Sequence, residues 1–287
     1  MPAPAVTTLR DALIGARHQI ELTGSNEAAL EAELLLMHAL RIDRARLYAS
    51  LHQPLDAEAD ERLAALMRLR LAHEPVAYIT GHREFFGLDF EVSPAALIPR
   101  PETETLVELA IDFARERGAP LTIADIGTGT GAVAIALAQN LPAARIIATD
   151  ISAEALALAN RNAQTLGVAD RVELRLGDLL ETLTESVDII VANLPYVTTA
   201  QWGDLPPEIR DNEPRMALDG GADGLEVVRR LIADAPAQLS EGGALFCEIG
   251  DWQGEAVRDL ARKAFPNAHF DVRPDLAGRD RVLAVYS

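Results

Sequence analysis

Asp125-Ile126-Gly127-Thr128-Gly129-Thr130-Gly131 closes an apolar run, Leu121 to Ile126, and precedes the alanine-rich segment Ala132 to Asn140. The run predicts a buried strand and the segment predicts a helix, so the glycines form a strand-to-helix turn. Glycine lets the backbone come close to a ligand, which makes such turns cofactor sites in open α/β sheets. Gly127-x-Gly129-x-x-Ala132 satisfies the dinucleotide fingerprint, so the motif alone leaves NAD and S-adenosylmethionine open.

Two acidic residues frame this turn. Asp150 follows the predicted strand Arg145 to Thr149, where a carboxylate can accept hydrogen bonds from ribose hydroxyls. Asp125 ends the first strand, and a carboxylate there could meet a cationic group such as the amino group of a methionine moiety. Asp125 therefore favours S-adenosylmethionine over NAD.

From Leu121 onward strands and helices alternate, which predicts a mainly parallel sheet with helices on both faces. The further elements expected are a helix Ala153 to Leu166 capped by Ser152, strands Val172 to Leu176 and Val187 to Ala192, a helix Leu225 to Leu239, a strand Ala244 to Ile249 that contains a buried structural thiol at Cys247, a helix Gln253 to Ala264, and a closing pair of strands His269 to Val272 and Arg281 to Tyr286.

Asn193-Leu194-Pro195-Tyr196 follows one of these strands directly. Ligands of open α/β sheets bind at the carboxyl ends of the strands. The side-chain carbonyl of Asn193 and the backbone carbonyl of Leu194 could accept the N–H groups of an amide, and the Tyr196 ring could pack on that amide or shield a sulfonium. The alternative is a plain strand-ending turn, because Asn and Pro are common turn residues.

The first third of the chain has a helical pattern from Thr8, which can cap the first helix, to about Glu74. We expect a helical domain over residues 1–75, a hairpin and linker over 76–104, and a catalytic domain over 105–287. Pro75 to Gly81 should break the helical pattern, and Gly87 should turn the hairpin. The helical domain could dock a substrate or simply stabilise its neighbour, and the sequence favours neither.

The formal net charge of -18 over 287 residues argues against non-specific nucleic-acid binding, which depends on Lys and Arg. A single cysteine, and histidines without metal-ligand spacing, predict no metal site and fit a reducing cytoplasm. No signal peptide is recognised, and no apolar run approaches the roughly 20 residues that span a bilayer. We expect a cytoplasmic monomer that does not bind membranes.

These motifs carry a family resemblance. The glycine turn, Asp150, Gly177-Asp178 and Asn-Leu-Pro-Tyr196 resemble the class I, S-adenosylmethionine-dependent amino methyltransferases. The stretches Ile98-Pro-Arg-Pro-Glu-Thr-Glu104 and Glu213-Pro-Arg-Met-Ala-Leu-Asp-Gly-Gly221, with the helical first third, narrow this to the release-factor glutamine methyltransferases (HemK-like family). The family's usual stretch is Asn-Pro-Pro-Tyr, and here Leu194 replaces the first proline.

The resemblance implies a Rossmann-like class I methyltransferase sheet behind a small all-helical domain. It implies methylation, with S-adenosylmethionine, of the amide nitrogen of the glutamine in a Gly-Gly-Gln loop of class I peptide chain release factors. The cofactor-binding residues then expected are Asp125, Gly127, Thr128, Gly129, Thr130, Gly131, Asp150, Asp178, Leu179 and Asn193. The catalytic and substrate-binding residues expected are Asn193, Leu194, Pro195 and Tyr196.

Three other functions stay open at this level. The chain could instead methylate a glutamine of a ribosomal protein, and the Ile-Pro-Arg-Pro-Glu-Thr-Glu stretch argues against this by resemblance only. Motifs of the Asn-Pro-Pro-Tyr type also occur in enzymes that methylate the amino groups of nucleic-acid bases. A flipped base would need a basic channel for its strand, and the sequence has no cluster of Lys and Arg around its motifs. An NAD-binding protein is the remaining alternative.

Overall fold

A computed structural model describes residues 7–118 and 120–287. The described chain forms two compact units. One comprises residues 7–81 together with Pro207–Asn212, and the other comprises His82–Pro206 together with Glu213–Ser287. No helix within these residues is long and apolar enough to cross a membrane.

The first unit begins with five helices that enclose an alanine- and leucine-rich core. Side-chain caps fix three of their starts, because Thr8, Asp43 and Asp56 each accept a hydrogen bond from a backbone N–H of the first turn. The prediction of a Thr8 cap is confirmed. The helices are α1 (Leu9–Glu21), α2 (Ala28–Leu40), α3 (Arg44–Ala49), α4 (Ala57–Leu71) and α5 (Val76–Thr80).

The expectation that Pro75 to Gly81 breaks the helical pattern is wrong. Pro75 takes the position before the first turn of α5, where a missing N–H costs nothing, and Gly81 ends the helix with a positive φ of 79°. The chain therefore leaves the helical unit after Gly81, six residues later than the predicted boundary at residue 75.

The second unit contains a two-stranded hairpin, a seven-stranded sheet and the helices that flank the sheet. Its elements, with the short helix α9 that belongs to the first unit, are β1 (His82–Phe85), β2 (Leu88–Glu91), α6 (Glu104–Arg117), β3 (Thr122–Ile126), α7 (Ala132–Asn140), β4 (Arg145–Asp150), α8 (Ala153–Thr165), β5 (Val172–Leu176), β6 (Val187–Ala192), α9 (Pro207–Arg210), α10 (Glu226–Asp234), β7 (Leu239–Glu248), α11 (Gly254–Ala264), β8 (His269–Pro274) and β9 (Asp280–Tyr286).

The sheet has the strand order β5-β4-β3-β6-β7-β9-β8. The first five strands in this order are parallel, and β9 runs antiparallel to both β7 and β8. The central strands are apolar on both faces, as expected of a parallel sheet covered by helices. The predicted α/β sheet, including its closing pair, is confirmed. Cys247 is buried in β7, and burial raises the pKa of its thiol to about 12.

The predicted helix Leu225 to Leu239 is too long. Helix α10 ends at Asp234, because Pro236 cannot donate a backbone N–H and forces a tighter 3-10 turn over Ala235–Ala237. Leu239 is already the first residue of β7. Apolar periodicity continues beyond Asp234, and periodicity alone does not show where a helix stops.

The segment Pro207–Asn212 belongs to the first unit although it lies between residues of the second. Arg70, which is 2% exposed, bonds to the Glu31 carboxylate at 2.7 Å and lies 3.9 Å from that of Glu208. Asn212 Nδ2 donates to the backbone carbonyl of His73 at 3.1 Å. A buried cation and a side-chain amide thus attach this segment to the helical unit.

We predict that Thr182→Val stabilises the protein. The Thr182 hydroxyl is buried and has no hydrogen-bond partner among the described residues, and valine has the same shape without the polar atom. Removing an unsatisfied buried hydroxyl should raise the free energy of unfolding by about 1 kcal/mol in urea titrations. An unchanged or lower free energy of unfolding would show that the hydroxyl is satisfied in solution.

Candidate active site

A cavity of about 270 Å³ lies at the carboxyl ends of β3, β4 and β6. Its volume is on the scale of a small-molecule site. Most of the predicted site residues line it, namely Asp125, Gly127, Thr128, Gly129, Thr130, Asp150, Asp178, Leu179, Asn193, Leu194 and Pro195. Gly131 and Tyr196 are not among the lining residues, so the structure brings together eleven of the thirteen predicted residues.

The glycine turn needs its glycines for two reasons. Gly127, Gly129 and Gly131 all have positive φ, at 74°, 57° and 81°, which side-chain-bearing residues rarely adopt. A Cβ atom at Gly131 would also lie 3.0 Å from Ile135 Cδ1 and 3.1 Å from Ala159 Cβ. Gly131 therefore permits close packing between α7 and α8 rather than lining the cavity.

Asp125 presents one of its two carboxylate oxygens to the turn. Its Oδ2 accepts hydrogen bonds from the Thr128 hydroxyl at 2.6 Å and from the Ala134 N–H at 3.1 Å. Its Oδ1 accepts none from the described residues. Burial raises the pKa of Asp125 to about 7, against the lowering effect of those hydrogen bonds. A cationic ligand group at the free oxygen would favour the carboxylate form.

Asp150 shapes the turn from the next strand. Its Oδ2 accepts from the Gly129 N–H at 2.9 Å, and its Oδ1 accepts from the Ser152 N–H at 2.8 Å. A carboxylate oxygen has more than one lone pair, so both oxygens keep acceptor capacity towards the cavity. Ser152 caps α8 as predicted, by accepting from the Ala155 N–H.

Asp178 and Leu179 reach the cavity from the loop after β5. The Asp178 carboxylate pairs with Arg230 on α10 at 2.6 Å, which neutralises both charges at the rim. Leu179 has a positive φ of 49°, and its carbonyl accepts from the buried hydroxyl of Thr149 at 3.2 Å. This contact fixes the backbone of the loop against β4.

Asn193 is held by its amide nitrogen. Its Nδ2 donates to the Thr103 hydroxyl at 2.9 Å, and that hydroxyl donates to Glu248 Oε2 at 2.6 Å. The Asn193 Oδ1 accepts no hydrogen bond from the described residues, so it remains an acceptor at the cavity wall. The Thr103 side chain is directed to Glu248, and α6 begins without a side-chain cap.

Leu194 contributes more than its backbone carbonyl. Its side chain is 4% exposed, and its Cδ2 lies 2.9 Å from the position that a Cβ of Gly127 would occupy. The side chain therefore packs against the glycine turn and links the two predicted motifs.

Tyr196 lies outside the cavity lining. Its hydroxyl donates to Glu248 Oε1 at 3.4 Å, and its ring makes an edge contact with Trp252, with centroids 6.4 Å apart. Gln253 Nε2 donates to the carbonyls of Gly224, at 2.9 Å, and Tyr196, at 3.4 Å, which anchors the end of the Asn-Leu-Pro-Tyr stretch.

Sequence reasoning missed several residues of the site. The stiff loop before α6 lines the cavity through Pro99, Arg100 and Thr103, and the chain after residue 213 lines it through Pro214, Met216 and Ala217. Buried Glu213 joins these segments, because it pairs with Arg100 and accepts from the Ile98 N–H. Pro99 and Pro101 restrict the backbone of this loop, but no local pattern predicts its distant acidic partner.

Asn162 is a second missed contributor. It lies on α8 and donates to the carbonyls of Glu91 and Thr130, at 3.0 and 2.9 Å, while its Oδ1 accepts from the Glu91 N–H. One buried amide thus ties the hairpin to the glycine turn. The helix contains two asparagines, Asn160 and Asn162, and no local pattern indicates that one of them has this role.

We predict that Asp125 makes stability depend on pH. Its pKa is raised in the folded state, so the folded chain keeps a proton that the unfolded chain loses above about pH 4. The free energy of unfolding should therefore fall as the pH rises from about 4 to about 7, by at most about 1.4 kcal/mol per pH unit for this group.

Asp125→Asn keeps the acceptor oxygen but cannot titrate. The slope of its free energy of unfolding against pH should therefore lack the contribution of this one proton. Urea unfolding of the ligand-free protein at intervals from pH 4.5 to 7.5 measures the effect. Asp188→Asn is the control. Asp188 lies at the start of β6, away from the cavity, and its carboxylate accepts from the Thr122 N–H and the Ser240 hydroxyl. Identical slopes for Asp125→Asn and the unaltered protein would contradict the prediction.

Comparison with known proteins identifies the family of this chain. A family model described as the PrmC N-terminal domain matches residues 11–81, and one described as a methyltransferase domain matches residues 123–211. Among solved structures, the hMettl16 catalytic domain has a TM-score of 0.56 at 18% identity, over 80% of this chain and 81% of that one. A methyltransferase from Pyrococcus furiosus has a TM-score of 0.50 at 19% identity, over 78% and 96%. These likenesses show the fold.

Two relatives match over nearly their whole length. The release factor glutamine methyltransferase of Moorella thermoacetica is 47% identical, over 97% of this chain and 98% of that protein. The release factor glutamine methyltransferase of Cereibacter sphaeroides is 46% identical, over 96% of each. The chain therefore belongs to the release factor glutamine methyltransferase family and is an S-adenosylmethionine-dependent methyltransferase of class I.

Proposed function

We propose that the chain methylates the side-chain amide nitrogen of the glutamine in the Gly-Gly-Gln loop of class I peptide chain release factors. The observation that carries this proposal is the Asn193 amide at the cavity wall, held through its nitrogen so that its carbonyl oxygen is available. An acceptor in that position suits a substrate N–H. The names of the full-length relatives supply the substrate class.

The cavity suits S-adenosylmethionine better than a dinucleotide. The N–H of Ala134, in the first turn of α7, already donates to the buried carboxylate of Asp125. A pyrophosphate would need that helix terminus and would be repelled by the carboxylate. S-adenosylmethionine supplies a methyl group on a positively charged sulfur and also carries an ammonium group. In the proposed arrangement Asp125 Oδ1 receives the cationic group, Asp150 accepts from the ribose, and the glycine turn holds the backbone close.

An amide nitrogen is a poor nucleophile, because its lone pair is delocalised into the carbonyl. The chain must therefore orient that nitrogen, and orientation can supply several kcal/mol of the roughly 7–11 available from proximity effects. In the proposed arrangement Asn193 Oδ1 accepts one substrate N–H and the backbone carbonyl of Leu194 accepts the other. Two acceptors fix the plane of the amide and stabilise positive charge that develops on its nitrogen.

Tyr196 has a narrower role in this proposal than the sequence suggested. With its hydroxyl on Glu248 and its ring against Trp252, it forms the back of the Asn-Leu-Pro-Tyr turn. It stabilises the backbone that presents the Leu194 carbonyl.

For the helical unit we propose a docking role towards the protein substrate. Segment Pro207–Asn212 belongs to that unit, while Pro214 and Met216, a few residues on, line the cavity. The strongly acidic surface would attract a basic partner. We further propose a monomer that acts in the cytoplasm, where peptide chain release takes place.

The competing substrates are less well supported. Both arginines that line the cavity are engaged, Arg100 by Glu213 and Arg230 by Asp178, so neither is available to a nucleic-acid phosphate. A ribosomal-protein glutamine would present the same amide to Asn193, and the distinction rests on the names of the relatives alone.

A methyl-transfer assay tests the proposal. Purified chain and radiolabelled S-adenosylmethionine are incubated with a class I release factor, with that factor carrying Gln→Ala in its Gly-Gly-Gln loop, with a ribosomal fraction, and with DNA. Label should enter only the unaltered release factor. Label in the ribosomal fraction or the DNA, and not in the release factor, would overturn the proposal.

We predict that Asn193→Ala lowers kcat at least a hundredfold, because loss of one preorganised hydrogen-bonding group in an active site typically costs about 10²–10³ in rate. The unfolding temperature and most of the cofactor affinity should remain. Asn140→Ala is the matched control, since within the described part of the chain the Asn140 side chain donates only to the Ala136 carbonyl of its own helix. Full activity of the Asn193 variant would remove this mechanism.

We predict that Leu194→Pro, which restores the family's usual residue, changes kcat by less than about fivefold, because the backbone carbonyl is present in both. Its free energy of unfolding should fall by about 1 kcal/mol, since part of a buried side chain is lost and only partly offset by a stiffer unfolded chain. Steady-state kinetics and urea unfolding measure both. A gain of several hundredfold in turnover would show that Leu194 impairs the native site.

A further inference from the structure

One buried carboxylate connects both ends of the Asn-Leu-Pro-Tyr stretch. Glu248, at the end of β7, is 1% exposed. Its Oε2 accepts from the Thr103 hydroxyl at 2.6 Å, and its Oε1 accepts from the Tyr196 hydroxyl at 3.4 Å. Thr103, 5% exposed, accepts in turn from Asn193 Nδ2 at 2.9 Å. Three segments far apart in the chain thus meet in a single hydrogen-bonded chain behind the cavity.

The Glu248 carboxylate decides which atoms donate and which accept in this series of hydrogen bonds. An ionised carboxylate only accepts, so the single hydroxyl hydrogen of Thr103 must point to Glu248. The lone pairs of Thr103 then receive a hydrogen from Asn193, which only the amide nitrogen can give. The Asn193 Oδ1 is thereby turned away from the chain, and it accepts no hydrogen bond within the described residues.

We propose that Thr103 and Glu248 are positioning residues that fix the orientation of the Asn193 amide. This inference rests on the proposed function, because it assigns a purpose to an amide oxygen that accepts a substrate N–H. Without the hydrogen bonds from Asn193 to Thr103 and from Thr103 to Glu248, Asn193 could rotate its amide by 180° and present N–H groups to the cavity. Two donors would then face each other, and the substrate nitrogen would lose its acceptor.

The charge state of Glu248 makes the orientation sensitive to pH. Burial raises the pKa of Glu248 to about 7, while the Thr103 hydrogen bond, nearby Arg281 and the Tyr196 hydroxyl lower it and Glu102 raises it. Arg281 is itself paired with Asp275 at 3.1 Å. Burial also raises the pKa of Tyr196, so its hydroxyl remains a donor. Once protonated, Glu248 can donate to Thr103, and the Thr103 hydroxyl is then free to point at Asn193.

The kinetic test compares two substitutions at one position. Thr103→Val removes the hydroxyl and keeps the shape, whereas Thr103→Ser keeps the hydroxyl. With release factor as substrate, we expect Thr103→Val to lower kcat about tenfold or more, with KM and the cofactor dissociation constant within twofold. Thr103→Ser should retain at least half of kcat. Thr182→Val makes the same chemical change at a residue outside this hydrogen-bond network, and it should leave kcat unchanged.

The pH profile adds a readout that a merely structural role would not move. In the unaltered protein kcat should rise as the pH passes upward through about 7. Glu248→Gln keeps an acceptor for Thr103 but cannot titrate, so its profile should lose that step. Asp125 also has a pKa of about 7 and titrates in every variant, so the difference between the two profiles is the quantity that counts. Equal profiles, or equal losses of kcat in the Val and Ser variants, would overturn the proposal.

A measurement without substrate separates this proposal from the substrate assignment. In protein labelled with ¹⁵N at asparagine, the side-chain NH₂ signals of Asn193 are identified by their absence in Asn193→Ala. They should shift as the pH passes through about 7 in the unaltered protein and stay fixed in Thr103→Val. If release factor is not methylated but this titration is seen, the substrate assignment fails and the positioning role stands. Signals that titrate equally in both proteins would refute the positioning role.

Discussion

Parallel pairing of β3 with β4 on one side and β6 on the other is the constraint on which this site depends. Ile126 lies opposite Thr149 in one register and Ala192 in the other, so all three strands end at one edge. The residues at these strand ends, namely the glycine turn, Asp150 and Asn193, must therefore meet. A one-residue slip in either register would turn the apolar side chains of a strand to the wrong face, which a core buried on both faces does not allow.

This constraint explains why much of the site could be predicted from sequence. A glycine, an acidic residue or an amide after an apolar run indicates where a strand ends. Parallel pairing of the strands then brings those carboxyl ends together. The same local rules gave the helix starts, because Thr8 and Ser152 cap through bonds within a few residues. These rules failed at Pro236, where a single residue ends a helix although the apolar pattern continues. They also failed at Pro75, where a proline precedes a new helix instead of ending the helical region.

The remaining parts of the site were not predictable, because they depend on side chains that meet across long sequence separations. Thr103 and Glu248 are 145 residues apart, and Arg100 and Glu213 are 113 apart. Neither pair has a periodicity or spacing that a single sequence could reveal. Gly131 and Tyr196 lie in the predicted motifs, yet one permits helix packing and the other backs the turn. A motif therefore identifies a place in the fold more reliably than it identifies the contacts of each member.

Two of the buried carboxylates, Asp125 and Glu248, show why a stable fold keeps groups that oppose stability. Burial raises the pKa of Asp125 and of Glu248 to about 7, so each destabilises the ligand-free protein when it is ionised near neutral pH. An apolar residue at either position would remove that penalty. It would also remove the acceptor that faces the cavity in the first case and the acceptor that orients Thr103 in the second. A cationic ligand beside Asp125 would restore the balance on binding. Among the described residues, Glu248 receives hydrogen bonds from two hydroxyls and has Arg281 nearby. The cost at Glu248 is thus permanent, and the fixed direction of the Asn193 amide is what the structure gains from it.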